Sequence, residues 1–381
     1  MPQQARPHLH QPAPNGVVVV LTAADGGLSS LHERMTRTEI AKRLAGLMNF
    51  EFGGEYDAGT RYPGRLYFVP SRTLVGLETA QSLGIRGEQD LFGGVVPHAF
   101  VATKAITQPL VTPDACAPPG WNRAFGDAVQ NLVLAGFSVF TREDARRAAE
   151  TLLRCGRVRL KPVLATGGRG QVLLSDLAEL ETALEAVDPD ELSSCGLVLE
   201  ENLTGTTTYS VGQVRSCNLL VTYYGTQRVT TDNSGREVYG GSTLVVVRDG
   251  FEALLALDIP KLARIAIRQA QAYDSAAWAH FPGLLVSRRN YDVIQGLDAR
   301  GRWRSGVLEQ SWRLGGASAA EIAALEAFAG DPGLRVVRAS CVEIYGDSKD
   351  PPTDSITLFR GVDDEVGFIS KYAMVDLHDT G

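Results

Sequence analysis

The stretch Tyr291 to Ser318, YDVIQGLDARGRWRSGVLEQSWRLGGAS, constrains this chain more than any other. Two runs of strand-forming residues flank Asp298-Ala299-Arg300-Gly301, which reads as a tight turn, and a helix start follows at Ser318. Asp292 opens the first strand. Glu309, Ser311 and Arg313 take alternate positions near the end of the second, and in a strand such residues share a face. A carboxylate, a hydroxyl and a guanidinium therefore point one way, with Asp292 brought near by the hairpin. Two carboxylates beside an arginine suit a magnesium ion held against a polyphosphate.

Composition excludes several other roles. At 381 residues, 44% hydrophobic and 21% charged, the chain has the makeup of an ordinary globular protein of two or three domains. A formal charge of −7 gives no whole-molecule attraction to nucleic acid or to an anionic membrane. Cysteines 116, 155, 195, 217 and 341 are widely spaced and odd in number, so neither a disulfide framework nor a zinc site is expected. No apolar run is long enough for a membrane helix, and residues 1–15, rich in Pro, Gln and His, read as a disordered leader. The expected location is the cytoplasm.

Taken in order, Val17 to Leu21 suits a buried parallel strand, and Thr36-x-x-Glu39 predicts a capping box ahead of a helix ending near Asn49. A strand from Arg65 to Val69 and a helix from Thr73 to Leu83 complete a small α/β unit. Pro113 to Gly120 reads as a linker. Next come a helix from Asn122 to Leu134, a strand from Phe137 to Phe140, and a helix capped by Thr141. The strand ending at Lys161-Pro162 leads into a glycine-rich loop, Thr166 to Gly170, and a strand resumes at Gln171. Phosphate loops that bind at a helix N-terminus run from strand into helix. This one returns to a strand, so it is either a backbone-lined phosphate lid or an ordinary turn. Asp176 caps the next helix, which Asp188-Pro189 ends. An apolar strand from Gly196 closes in Glu200-Glu201-Asn202-Leu203, and mainly β structure follows to Val247. A helix from Pro260 to Trp278 precedes the hairpin, and Ser318-x-x-Glu321 reads as a capping box after it. Strands are expected around Val336 to Tyr345 and Ile356 to Phe359.

The order of these features resembles the ATP-grasp superfamily of carboxylate-activating enzymes. Four elements carry the resemblance: Lys104, the Lys161-Pro162 strand end with Gly167, Gly168 and Gly170, the acidic hinge Glu200 to Leu203, and the hairpin. It implies a mixed α+β and α/β chain, an ATP-grasp fold behind an N-terminal α/β pre-ATP-grasp domain. The implied divisions are 16–115 for that domain, 116–205 for the lid subdomain, and 206–381 for the large subdomain with its C-terminal extension.

By the same resemblance the cofactors are ATP and Mg2+. Lys161 and Lys104 would contact the phosphates, Glu200 the adenine amino group, and the backbone at Glu201 and Leu203 the adenine edge. Asp292 and Glu309 would ligate magnesium, Glu309 bridging two ions with Ser311 as third ligand, and Arg313 would stabilise the transferring phosphoryl group. Arg228, ahead of the loop Thr231 to Gly241, would face phosphate or substrate, or else serve as a surface residue. Two departures stand out: Ser311 replaces the usual Asn, and Thr206 to Thr208 stand where an acid commonly holds the ribose. The implied partners are small molecules, a carboxylate and an amine or thiol, with neither nucleic acid nor membrane, and the implied assembly is a homodimer. The implied reaction is an ADP-forming ligation through an acyl phosphate. An ATP-binding regulatory protein without turnover is the alternative that the missing ribose acid motivates.

Overall fold

Alternating side chains decide the largest sheet. In the computed structural model, which describes residues 15–23, 30–165, 170–347 and 349–376, eight strands form one sheet. From one edge they are Trp303–Ser311, Arg288–Leu297, Thr204–Ser216, Leu219–Thr231, Glu237–Arg248, Val336–Tyr345, Gly367–Asp376 and Ile356–Asp363. All neighbours run antiparallel. Tyr209, Val211, Tyr291, Val293 and Val307 point to one face and pack under the helix Lys261–His280. Val214, Val221, Tyr223, Leu244 and Val246 point to the other, where the helices Leu31–Met48 and Ser318–Gly330 cover them. Successive side chains thus alternate between two apolar cores, except where the register slips.

A four-stranded sheet, in the order Gly136–Val139, Leu197–Glu201, Val158–Pro162 and Val172–Leu174, carries the glycine-rich segment. Helices Arg142–Leu153 and Leu177–Glu185 bury its apolar face, each started by the side chain expected from sequence, Thr141 and Asp176. The N-terminal unit is a three-stranded parallel sheet with Gly16–Leu21 between Glu51–Glu55 and Arg65–Pro70. No helix of the described residues is long and apolar enough to cross a membrane.

Several sequence expectations shift here. The first helix begins at Leu31, so Thr36 lies inside it rather than at its cap, and the Thr36 hydroxyl is buried without a partner among the described residues. Local capping chemistry lost to packing, since the first helix supplies Ile40, Ala41 and Leu44 to the core it shares with the last. Leu74–Val75 is a short strand paired with Val95 and Val96, so the helix expected from Thr73 is delayed to Leu77–Ser82. Asp188 does end one helix, but it caps another, Pro189–Ser194. The last strand, Gly367–Asp376, was not anticipated, nor was Glu51–Glu55.

Candidate functional site

The hairpin sets Asp292 directly opposite Glu309 and Asn290 opposite Ser311. Asp292 shares a face with Ser210 and Gln227. The Ser210 hydroxyl donates to Asp292 Oδ1 at 3.2 Å, the Asn290 amide donates to the same oxygen at 2.9 Å, and Gln227 supports Ser210 at 3.0 Å. This polar group is where the face that buries Tyr223 and Leu244 gives way to hydrogen-bonding side chains.

A local irregularity makes that arrangement possible. Val307 and Glu309 are two residues apart and would share a face in a regular strand. The register slips between Asp292 and Val293, so that Val307 pairs with Val293 and packs under the long helix while Glu309 faces Asp292. Leu308 is the extra residue of this bulge, and its effect is to re-aim Glu309.

Lys104 meets the hairpin from a distant segment. It lies in the 3-10 turn Lys104–Thr107, nearly buried, and its ammonium sits 2.8 Å from Glu309 Oε2 and donates to the Ala165 carbonyl at 3.0 Å. Burial pushes the Glu309 carboxyl up, but Lys104, with Lys161 and Arg313, outweighs it and holds the group below the usual glutamate value. Asp292 moves the other way: burial and the neighbouring Glu309 charge raise it. Two facing carboxylates, of which Glu309 alone is ion-paired to Lys104, form a donor set that a divalent cation would complete, since hard cations prefer carboxylate oxygen. Burial lowers the Arg313 guanidinium from its ordinary value against the pull of Glu309. Arg313 itself is half-buried just past the strand end, where it donates to the Leu314 carbonyl at 2.7 Å.

The second lysine forms its own pair. Lys161 and Glu200 lie on adjacent strands of the four-stranded sheet, both almost fully buried, and their charged groups are in contact. Glu200 Oε2 has no partner among the described residues. The same holds for both amide atoms of Gln108, a residue that sequence reasoning passed over and that is fully buried. Gln108 reaches this place because residue 136 is glycine: a Cβ there would come within 2.9 Å of both Gln108 Cδ and Glu200 Cβ. Buried polar atoms left unpaired are costly, and these three, brought together at Gly136, offer a donor and acceptors that fit the edge of a nucleobase.

The remaining candidates divide. Gly170 has φ +68°, the left-handed backbone that turns the loop back into its strand, whereas Gly167 and Gly168 lie outside the described residues. The Glu201 N–H donates to the Ala135 carbonyl at 2.8 Å, and its carboxylate holds Arg304 at 3.0 Å and accepts from the Ala135 N–H. Leu203 is buried next to it. Arg228 does not join the cluster. It is exposed and donates to the Gly240 carbonyl at 3.1 Å, while its neighbour Gln227 is the residue turned toward Asp292. Ser311 is on the hairpin face as expected, but its hydroxyl lies 3.4 Å from a buried arginine, Arg288. Glu321, read from sequence as half of a capping box, instead forms a fully buried ion pair with Arg288 at 2.6 Å, and the helix is preceded by Ala317. Among the described residues no group of three or more His, Cys, Asp or Glu side chains could hold a metal.

The chain aligns with a solved ADP complex of N5-carboxyaminoimidazole ribonucleotide synthetase at 14% identity and a TM-score of 0.51, over 95% of this chain and 93% of that one. It aligns with N5-carboxyaminoimidazole synthetase from Staphylococcus aureus, also complexed with ADP, at 13% identity and a TM-score of 0.50, with the same coverage. At such identity the likeness is one of fold, and the fold is ATP-grasp with an N-terminal α/β domain, as the motif order implied. No curated protein matches the sequence. A family model described as "Protein of unknown function (DUF3182)" matches residues 20–373, nearly the whole chain, and the chain belongs to that family.

Proposed function

We propose that this protein is a magnesium- and ATP-dependent ligase that activates a small carboxylic acid as an acyl phosphate for attack by an amine or thiol. The observation that carries the reading is the placement of Asp292 opposite Glu309 with Lys104 on Glu309. Paired carboxylates for a cation, lysines for phosphate oxygens and an arginine at the strand end are what phosphoryl transfer to a carboxylate requires. Magnesium, when bound, would sit on Asp292 and Glu309 and neutralise charge on the β- and γ-phosphates.

The chain's own residues do the rest. Lys104 and Lys161 exchange their carboxylate partners for phosphate oxygens, and Glu200, released from Lys161, turns with Gln108 to the base. Arg313 offsets charge on the transferring group. Pro162 leads into the glycine-rich segment, which covers the acyl phosphate and excludes water until the nucleophile attacks. The N-terminal domain supplies the carboxylate site. Thr73 at its edge donates to the Trp312 carbonyl, beside Arg313, at 3.2 Å, and both Glu33 and Arg72 act electrostatically on Arg313.

A second reading, an ATP-binding protein without turnover, is favoured by one feature: Thr206 and Thr207 are exposed at the position where an acid would hold the ribose. Phosphate release from Mg-ATP across a panel of amino acids, peptides and small acids separates the two. Release that depends on a carboxylate supports the ligase. Nucleotide binding without release across the whole panel favours the second reading. Unchanged binding and turnover in the Asp292→Asn, Glu309→Gln double variant would show that the site lies elsewhere.

A further inference from the structure

Beneath the hairpin lies a buried ionic network that the proposed reaction does not use. Arg288 is 1% exposed and Glu321 is 0% exposed. The Nε and Nη2 edge of Arg288 meets the Glu321 carboxylate at 3.1, 3.0 and 2.6 Å. Its remaining nitrogen, Nη1, turns to the hairpin, where it donates to the carbonyls of Ser311 at 3.1 Å and Arg313 at 2.6 Å and approaches Ser311 Oγ at 3.4 Å. The Tyr223 hydroxyl joins the network to Asn290, 2.5 Å from Glu321 Oε1 and 3.0 Å from Asn290 Oδ1, and Asn290 in turn donates to Asp292.

This geometry bears on how many cations the hairpin can take. A metal on Ser311 Oγ would share that oxygen with a guanidinium that cannot lose its charge. The neutralising Glu321 carboxylate is on the opposite edge of the arginine, farther from any such metal. Asn290, the cross-strand neighbour of Ser311, has its carbonyl oxygen turned to Tyr223 and its amide nitrogen to Asp292. Neither side chain is then available to a second ion, whereas Asp292 and Glu309 carry the negative charge a cation needs, Glu309 by exchanging Lys104 for it. We infer that the hairpin holds one divalent cation, on Asp292 and Glu309, and that Arg288 is a fixed positive charge where a second cation would otherwise sit. Arg288 is thus a positioning residue, holding the Ser311 and Arg313 carbonyls and setting the metal count through Ser311. The inference rests on the magnesium-nucleotide reading given above.

The test is a Mn2+ titration of the full chain with saturating adenylyl imidodiphosphate, with bound and free Mn2+ measured by electron paramagnetic resonance. One Mn2+ per chain, with the spectrum of an isolated ion, is the expected result. Two per chain with an exchange-coupled spectrum would overturn the inference while leaving the nucleotide reading standing. Absence of nucleotide-dependent Mn2+ binding would remove the reading and the inference together. In a variant carrying Arg288→Met, Glu321→Met and Ser311→Asn, the fixed charge is gone and an amide donor is supplied, so the count should rise to two. A count of one in that variant, with folding confirmed by circular dichroism, would overturn the role given to Arg288. Should the variant not fold, the wild-type count decides.

Discussion

The two lysine–carboxylate pairs of the site are built in opposite ways. Lys161 and Glu200 sit on neighbouring strands of one small sheet, 39 positions apart, and their contact follows from the register of that sheet alone. Lys104 and Glu309 are 205 positions apart, on a short 3-10 turn outside any sheet and on the edge hairpin of the eight-stranded sheet, and they meet only when that turn packs on the hairpin. The first pair is a property of one sheet, and the second depends on how distant elements pack. A ligand that breaks both pairs must therefore act within one sheet at one end and between a turn and a second sheet at the other.

Substitutions can break this comparison. The largest effect is expected for Glu309→Gln, which removes a carboxylate proposed to hold the metal and strands Lys104. Substrate-dependent ADP release should fall about 10^4-fold in kcat/KM, or ~5 kcal/mol, measured by coupled assay. If the loss were confined to the KM for nucleotide, the two pairs would be equivalent. Next is the support beneath the hairpin: Glu321→Gln alone leaves Arg288 buried and uncompensated, and should cost about 3–5 kcal/mol of folding stability, whereas joint Met replacement should cost far less. Urea unfolding of both variants checks this, and equal losses would mean that packing rather than charge is at stake.

Glu200→Gln should be milder, raising the nucleotide KM about tenfold with kcat nearly unchanged. A kcat collapse would place Glu200 nearer the reacting atoms than its sheet suggests. The smallest effect concerns another long-range contact, between Asp363 and the start of the first helix. Asp363 accepts from the backbone N–H groups of His32 at 2.9 Å, Glu365 at 2.9 Å and Val366 at 3.2 Å. Burial raises its carboxyl, but these three donors hold it below the usual aspartate value. A carboxyl depressed on folding contributes stability that is complete above its unfolded pKa and is lost as pH falls through its folded one. Asp363→Asn should therefore cost about 1 kcal/mol at neutral pH, and the difference from wild type should shrink below about pH 4. A difference independent of pH would mean that the charge contributes nothing.

Much of this was legible in the sequence because it is local. The turn at Asp298 to Gly301 closes the hairpin, with Gly301 at φ +72°. Thr141 and Asp176 cap their helices, and Lys161-Pro162 ends a strand before the glycine-rich segment. Glu321 and Thr36 were misread for the same reason. Each fits a local capping pattern worth about 1 kcal/mol, but Glu321 is claimed by the distant Arg288, and Thr36 falls inside a helix that starts earlier, at Leu31. Gln108 left no signal at all, since only the glycine at 136, on another element, makes room for it.

The sequence by itself determined which residue types stand at alternate positions of the hairpin, and hence that Glu309, Ser311 and Arg313 could act together. Which face they take was settled by the bulge at Leu308, where Val307 stays with the apolar core and Glu309 turns to Asp292. What each of them meets was settled by tertiary structure: Lys104 on Glu309, and Arg288 against Ser311. The physical reason is that strand periodicity is a local property of the backbone, whereas ion pairs and desolvation depend on which distant segments are packed against it.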